Sequence, residues 1–145
     1  MKHINRLIIV VLVIAGLLSA CAPKPATIEK IEPFHLEVIE GSDFQRVILT
    51  EKAAQRLDVQ TAPISDGLVN GSQQKIIPYA AVLYGLDGET WTYTNPEPLV
   101  YVRQLIVIDH IEGDRVVLSE GPDAGTAVVV IGAAELYGAE VGVKK

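Results

Sequence analysis

Cysteine is all but missing from this chain of 145 residues: Cys21 is the only one. An intrachain disulfide is therefore excluded, as is the cluster of thiolates that holds a structural zinc ion. Met1 is the only methionine, which removes thioether ligation of copper. His3, His35 and His110 lie far apart, with no spacing that resembles a metal site. There is no Gly-x-Ser-x-Gly elbow and no glycine loop of the kind that cradles phosphate. This inventory predicts a protein that is not an enzyme and that carries no cofactor and no metal. Positive charge is also scarce, with 12 Lys and Arg against 18 Asp and Glu, a formal net charge of −6. Nucleic-acid binding depends on clustered cations that neutralise phosphates, so nucleic acid is not an expected partner.

What the chain does have is concentrated around its one thiol. Lys2 and Arg6 form a positive start, Leu7 to Leu18 an almost unbroken apolar stretch, and Leu18-Ser19-Ala20 leads directly into Cys21. The apolar run falls within the ~7–15 residues of a signal sequence and short of the ~20 that a spanning helix needs. Residues 1–20 are thus predicted to be a lipoprotein signal peptide. The thiol is required because a diacylglyceryl group is attached through sulfur before cleavage ahead of Cys21, the expected site of lipid attachment. Lys2 and Arg6 leave with the signal, so the mature chain keeps 18 acidic residues against 12 less those two, a charge of −8. The expected location is extracytoplasmic and membrane-anchored, either on the periplasmic face of a membrane or on the outer face of the cytoplasmic membrane. Ala22 lacks the aspartate that retains lipoproteins in the inner membrane of enteric bacteria, and the leaflet stays open.

Behind the anchor, residues 21–45 read as a tether and entry segment. Pro23 and Pro25 stiffen Ala22 to Thr27, while Glu29 to Glu40 shows no clear period. Arg46 to Leu49 is a predicted strand, and Thr50 is placed to cap a short helix over Glu51 to Leu57. Glu51 in its first turn favours the helix dipole. Pro63, Ser65-Asp66-Gly67 and Asn70-Gly71-Ser72 read as a loop by composition. From Ile76 onward short apolar runs alternate with turn signals: Val82 to Leu86 and Glu89 to Thr94 around Asp87-Gly88, Leu99 to Ile111 and Arg115 to Ser119 around Glu112-Gly113-Asp114, then Thr126 to Ile131. The glycines at 121, 125, 132 and 138 are read as turn positions. The fold class expected for residues 46–145 is mainly β, a small antiparallel β-barrel or sandwich with one short helix, following an N-terminal signal helix.

Two clusters could carry chemistry. Asp109-His110 with Glu112 and Asp114 has the residue types of a general base or a cation site, but Glu112-Gly113-Asp114 reads first as a hairpin turn. Trp91 and Tyr93 fall on one face of an alternating strand and, with Tyr101, could make an aromatic ligand platform. Side chains in that pattern more often form core or cross-strand pairs.

Three segments, taken in order, resemble the periplasmic adaptor subunits of tripartite, RND-type efflux pumps, the membrane fusion proteins of the HlyD-like family. Arg46-Val47-Ile48-Leu49-Thr50-Glu51-Lys52-Ala53-Ala54-Gln55-Arg56-Leu57 with Val59-Gln60-Thr61-Ala62-Pro63 is similar to the strand, helix and strand that open the folded region of such adaptors. Ile77-Pro78-Tyr79-Ala80-Ala81-Val82-Leu83-Tyr84 with Gly88 and Trp91-Thr92-Tyr93 resembles the strand and hairpin that begin their membrane-proximal domain. Gly121 to Gly138 resembles that domain's closing strand and tail. In full-length adaptors a β-barrel domain, a lipoyl-like domain and a long helical hairpin separate the first segment from the second; here only Ile64 to Gln73 joins them. Asp58 also stands where the family commonly has a helix-ending glycine, and aspartate can adopt the left-handed conformation at modest cost. The resemblance implies a truncated, membrane-proximal β-domain that docks on an inner-membrane efflux transporter, in addition to its contact with the membrane through the lipid anchor. A small ligand-binding or sensor lipoprotein, using the Trp91 and Tyr93 face, is the alternative.

Overall fold

The computed structural model describes residues 32–142; Cys21, the signal peptide with its expected helix and the Ala22 to Thr27 tether lie outside them. The elements in chain order are β1 (Phe34–Val38), β2 (Gln45–Leu49), α1 (Glu51–Leu57), β3 (Gln60–Pro63), β4 (Ser65–Val69), β5 (Ser72–Pro78), a 3-10 turn at Tyr79–Ala81, β6 (Leu83–Tyr84), β7 (Thr90–Glu97), β8 (Val100–Glu112), β9 (Arg115–Glu120), β10 (Ala127–Ile131) and α2 (Ala133–Gly142). The architecture is mainly β, and every strand pairing among the described residues is antiparallel.

The helix after β2 forms for the reasons its sequence offers. Thr50 accepts a hydrogen bond from the Ala53 amide (3.2 Å), Glu51 sits in the first turn, and Asp58 ends the helix with φ 49° and ψ 43°. Aspartate thus does the work usually given to glycine at a left-handed cap.

Strand order along the sheet is β3-β10-β7-β8-β9-β5-β4, with β2 on β8, β1 on β2 and β6 on β7. The two strands at the ends of this path, β3 and β4, are neighbours in the chain and are joined by Ile64 alone. A sheet whose ends are held one residue apart must curl, and this one forms a half-barrel. Ile64 is also pinned to the segment before β10: its amide donates to the Thr126 carbonyl (2.9 Å) and its carbonyl accepts from the Gly125 amide (2.8 Å). β8 is the spine. Its first residues pair with β7 on one edge and β2 on the other, and its later residues pair with β9, with register shifts between Val107 and His110. Bulges of this kind bend a strand and increase its twist, which assists the curl.

Side chains alternate across the central strands, and both faces are covered. Tyr93, Tyr101 and Val129 point to a first core with Val47, Leu49, Ala53, Ala133 and Leu136. Ile106 and Val128 point to a second core with Ile64, Ile77, Ala81, Val116 and Leu118. The apolar run Thr126 to Ile131 forms β10, which pairs on both edges; Val128 and Val129 are buried in it, while Ile131 stays exposed.

Three expectations need correction. The segment read as a loop around Ser65 to Ser72 is a β-hairpin, with Asn70 (φ 52°) and Gly71 (φ 83°) in the left-handed conformation that a two-residue turn between twisted strands demands. Gly138 is not a turn residue; it lies inside α2, a second helix where only a tail was expected after the closing strand. Its helix-breaking cost, about 1 kcal/mol relative to alanine, is offset by packing of Ala133, Leu136 and Glu140 on the sheet. Gly132 does serve as a turn: its φ is +91°, and a Cβ there would sit 3.0 Å from the Val59 side chain. Finally, the strand before Asp87-Gly88 shrinks to Leu83–Tyr84, leaving Leu86 fully exposed in a longer loop.

Candidate functional site

The expected aromatic platform is filled from within. Tyr93 is fully buried and Tyr101 nearly so, both as members of the first core. Opposite Tyr93 on β8 stands Arg103, whose guanidinium carbon lies 4.8 Å from the centroid of Phe44, 4.9 Å from that of Trp91 and 5.2 Å from that of Tyr137. Phe44 and Trp91 meet edge to face at 4.9 Å. Three rings thus enclose a cation that belongs to the chain itself, the arrangement expected from cation–π attraction when the charge is shielded from water.

The counter-charge comes from α2. Glu140 is 4 % exposed at its side chain and Arg103 13 %, and Arg103 Nη2 donates to Glu140 Oε1 at 3.3 Å. Arg103 Nε lies 3.2 Å from Oε2 but off the hydrogen-bonding line, so this second contact is an ion pair without a hydrogen bond. The Tyr93 hydroxyl donates to the same Oε2. Burial, reinforced by that carboxylate, pushes the Tyr93 phenol well above its ordinary value of 10.0 and keeps it protonated as a donor. Burial also raises Tyr101. The cluster can position α2 on the sheet, but its phenol is held from ionising and its carboxylate is already paired. It offers neither a general base nor a nucleophile.

Two hollows adjoin these elements. One, of about 230 Å3, lies beside the ion pair and is lined by Ser42, Asp43, Phe44 and Gln45 across from Val141. The other, about 380 Å3, is a surface groove between the β6–β7 loop and β8, lined by Gly88, Glu89, Thr90 and residues Leu105 to Ile108. Neither is lined by Trp91, Tyr93 or Tyr101. The first is smaller than the ~300–1,000 Å3 typical of small-molecule sites, and the second has no aromatic wall.

No family model, curated protein or solved structure matches the chain.

Asp109, His110 and Glu112 do come together, at the far end of β8. His110 Nδ1 meets Asp109 Oδ2 at 2.8 Å and Nε2 meets Glu112 Oε1 at 3.1 Å, while Arg115 Nη2 donates to Glu112 Oε2 at 3.2 Å. Carboxylates only accept, so both contacts are hydrogen bonds at once only when the ring carries both protons. The hydrogen bond to Asp109, and then that to Glu112, raises His110 above its ordinary 6.5. The two carboxylates grip opposite sides of the ring, and among the described residues no three His, Cys, Asp or Glu side chains are grouped to hold a metal ion. Asp114 contributes its backbone, accepting from the Tyr79 amide at 2.8 Å. Among the described residues no helix is long and apolar enough to cross a membrane.

Sequence reasoning found Trp91 and Tyr93 but missed Arg103, Glu140, Phe44 and Tyr137. A local signal existed only for Glu140, which falls at helical spacing from Ala133 and Leu136 in a place where an apolar residue would be expected.

Proposed function

We propose that this chain is a lipid-anchored, non-catalytic docking module, acylated at Cys21, that engages an efflux transporter on the extracytoplasmic side of a membrane in the manner of an efflux adaptor's membrane-proximal domain. The observation that carries the reading is the contrast between a closed aromatic cluster and apolar side chains left open beside it. Trp91 and Tyr93 are committed to Arg103 and Glu140, whereas Leu86 is fully exposed, and Leu105 and Val107 stand 51 % and 40 % exposed on β8. Grouped apolar side chains on a monomer's surface mark interaction sites, and a filled interior offers a small ligand little to enclose.

The topology also supports the adaptor-like reading. Strand β2, from the first resembling segment, pairs with β8 through Arg46 with Val102 and Val47 with Tyr101. Strand β3 pairs with β10, so the entry and closing segments lie in one sheet although the intervening domains of a full adaptor are missing.

Crosslinking in native membranes followed by mass spectrometry tests the function. An inner-membrane pump or permease should be recovered with the chain, and residue 21 should carry the acyl mass. Recovery of no transporter, together with a tightly bound small molecule, would overturn the docking reading in favour of a ligand-binding lipoprotein. An unmodified Cys21 within an intact N-terminus would remove the anchor.

A further inference from the structure

Several strands have an outer edge that no described residue pairs with, and these edges are not alike. β3 contains Pro63 and meets β10 through a register shift, while β4 carries Asp66 and Gly67, features that discourage a further strand. β1 has no proline, glycine or lysine, and its register with β2 is unbroken.

The hydrogen bonds show which backbone groups of β1 are free. The Thr50 amide donates to the Pro33 carbonyl (2.9 Å), whereas the Leu49 amide turns the other way, to the Leu99 carbonyl (3.0 Å). Bonded and non-bonded positions alternate in an antiparallel pair. His35 and Glu37 are therefore bonded to Ile48 and Arg46, and Phe34, Leu36 and Val38 direct their amides and carbonyls away from β2. Val38 is 76 % exposed.

These five residues are complementary to their own reversal. With Leu36 opposite Leu36 of a second, antiparallel copy, Phe34 meets Val38 and His35 meets Glu37. The three residues with free backbone groups then stand opposite one another and exchange both hydrogen bonds, with their apolar side chains on one face. His35 and Glu37 fall at the non-bonded positions, where opposed side chains come closest. Within one chain both are more than half exposed, and His35 Nε2 lies 3.6 Å from Glu37 Oε1, beyond hydrogen-bond reach. β4 has no such symmetry: centred on Gly67, it would set Asp66 against Leu68.

We infer that β1 is an interface for a second copy of this chain, the two β1 strands pairing antiparallel about Leu36 and joining two sheets into one. Five residues a side is far below the ~20–30 of a standard interface, so the pairing is weak and depends on concentration. It needs neither a transporter nor a lipid anchor and stands apart from the docking reading.

The experiment coexpresses two full-length copies with different epitope tags, one carrying His35→Cys and the other Glu37→Cys, and treats intact cells with a mild oxidant. Opposed non-bonded positions have Cα atoms about 4.5 Å apart, inside the ~4.4–6.8 Å range of a disulfide. The mixed disulfide should be at least tenfold more abundant than in pairs carrying the same new cysteine in both copies, or Cys21 alone. Val38→Pro in both copies removes an amide aimed at the second strand. It should cut the disulfide at least tenfold, with the circular dichroism spectrum of the purified chain unchanged. Leu68→Asp, at an exposed position on β4, should leave the disulfide within twofold. Like-with-like disulfides equal to the mixed one, or none above the Cys21 background, overturn the inference. Capture of β1 by a different protein, survival of the mixed disulfide in a folded Val38→Pro chain or its loss in Leu68→Asp also overturns it. The cysteine pattern decides the register whether or not the proline variant folds. No transporter enters these readouts, so the docking reading stands or falls by its own test.

Discussion

On one side of β7 and β8 aliphatic side chains share the buried volume with aromatic rings, an arginine and a carboxylate; on the other it is aliphatic throughout, apart from the Thr92 and Thr94 hydroxyls. The first core is directional. Arg103, Glu140 and Tyr93 must meet within hydrogen-bond reach, and each is useless to the others if displaced. The second core needs only matching shape, which Ile64, Ile77, Ile106, Val116 and Leu118 provide. The difference explains how a weakly amphipathic helix with an internal glycine stays on the sheet: beyond Leu136, the only deeply buried side chain of α2 is charged and is met by a partner.

Removing one member of the polar core should have the largest effect. Glu140→Ala leaves a shielded guanidinium and a buried phenol without their acceptor, and should cost about 3–5 kcal/mol in urea denaturation. Replacing the whole set, with Arg103→Met, Glu140→Leu and Tyr93→Phe together, should return most of that stability. If the triple variant is no better than Glu140→Ala, the network is not acting as a unit.

The aliphatic core should respond to lost volume instead. Ile106→Ala, at a side chain that is essentially inaccessible, should cost about 2–5 kcal/mol. Its effect should add to that of Glu140→Ala, because the two sites share no partner. Strong coupling between them would show that the cores are not separate.

A smaller change, of opposite sign, is expected within the aliphatic core. Thr92 Oγ1 is buried with no hydrogen-bond partner, whereas Thr94 Oγ1 donates to the Val102 carbonyl at 3.0 Å. Thr92→Val should stabilise the fold by about 1 kcal/mol, and Thr94→Val should destabilise it by a similar amount, read as opposite shifts in thermal midpoint.

The smallest effect belongs to His110, outside both cores. The folded chain holds this proton more tightly than the unfolded chain does, because Asp109 first and Glu112 second raise the ring above 6.5. The stability it contributes is therefore whole below pH 6.5 and is lost as the pH rises through the folded value. An NMR titration should show His110 above 6.5, and Asp109→Asn should lower it more than Glu112→Gln. A His110 titration at or below 6.5 would mean that the two carboxylates do not hold the ring in solution.

Legibility in the sequence follows the same division. Features set by neighbours along the chain could be read: the Thr50 cap, the left-handed Asp58, the β8–β9 turn and the common face of Trp91 and Tyr93. The Asn70-Gly71 hairpin was equally local, but the polar composition around it masked a turn signal that its two residues carry plainly. What stayed hidden was made at a distance. Nothing near Arg103 points to Glu140 or to Phe44, since the ion pair and the ring contact exist only after α2 and the β1–β2 connection fold against Arg103. Helix α2 was missed for a related reason. Gly138 argues against a helix locally, and the packing that overrides it is tertiary.

The single-residue join at Ile64 has a consequence for the order of folding. β7, β8 and β9 are linked by short turns and can zip up early, since each closes only a small loop. β3 meets β10 only when Pro63 finds Ala127, with every strand from β4 to β9 lying between them in the chain. Loop-closure entropy makes that pairing late, and because Ile64 ties β3 to β4, the hairpin of β4 and β5 must already point the right way for it to succeed. Pulse-labelled hydrogen exchange should find the β3 amides protected after those of β7 to β9, with the last step of folding being the moment at which the open sheet becomes a curved one.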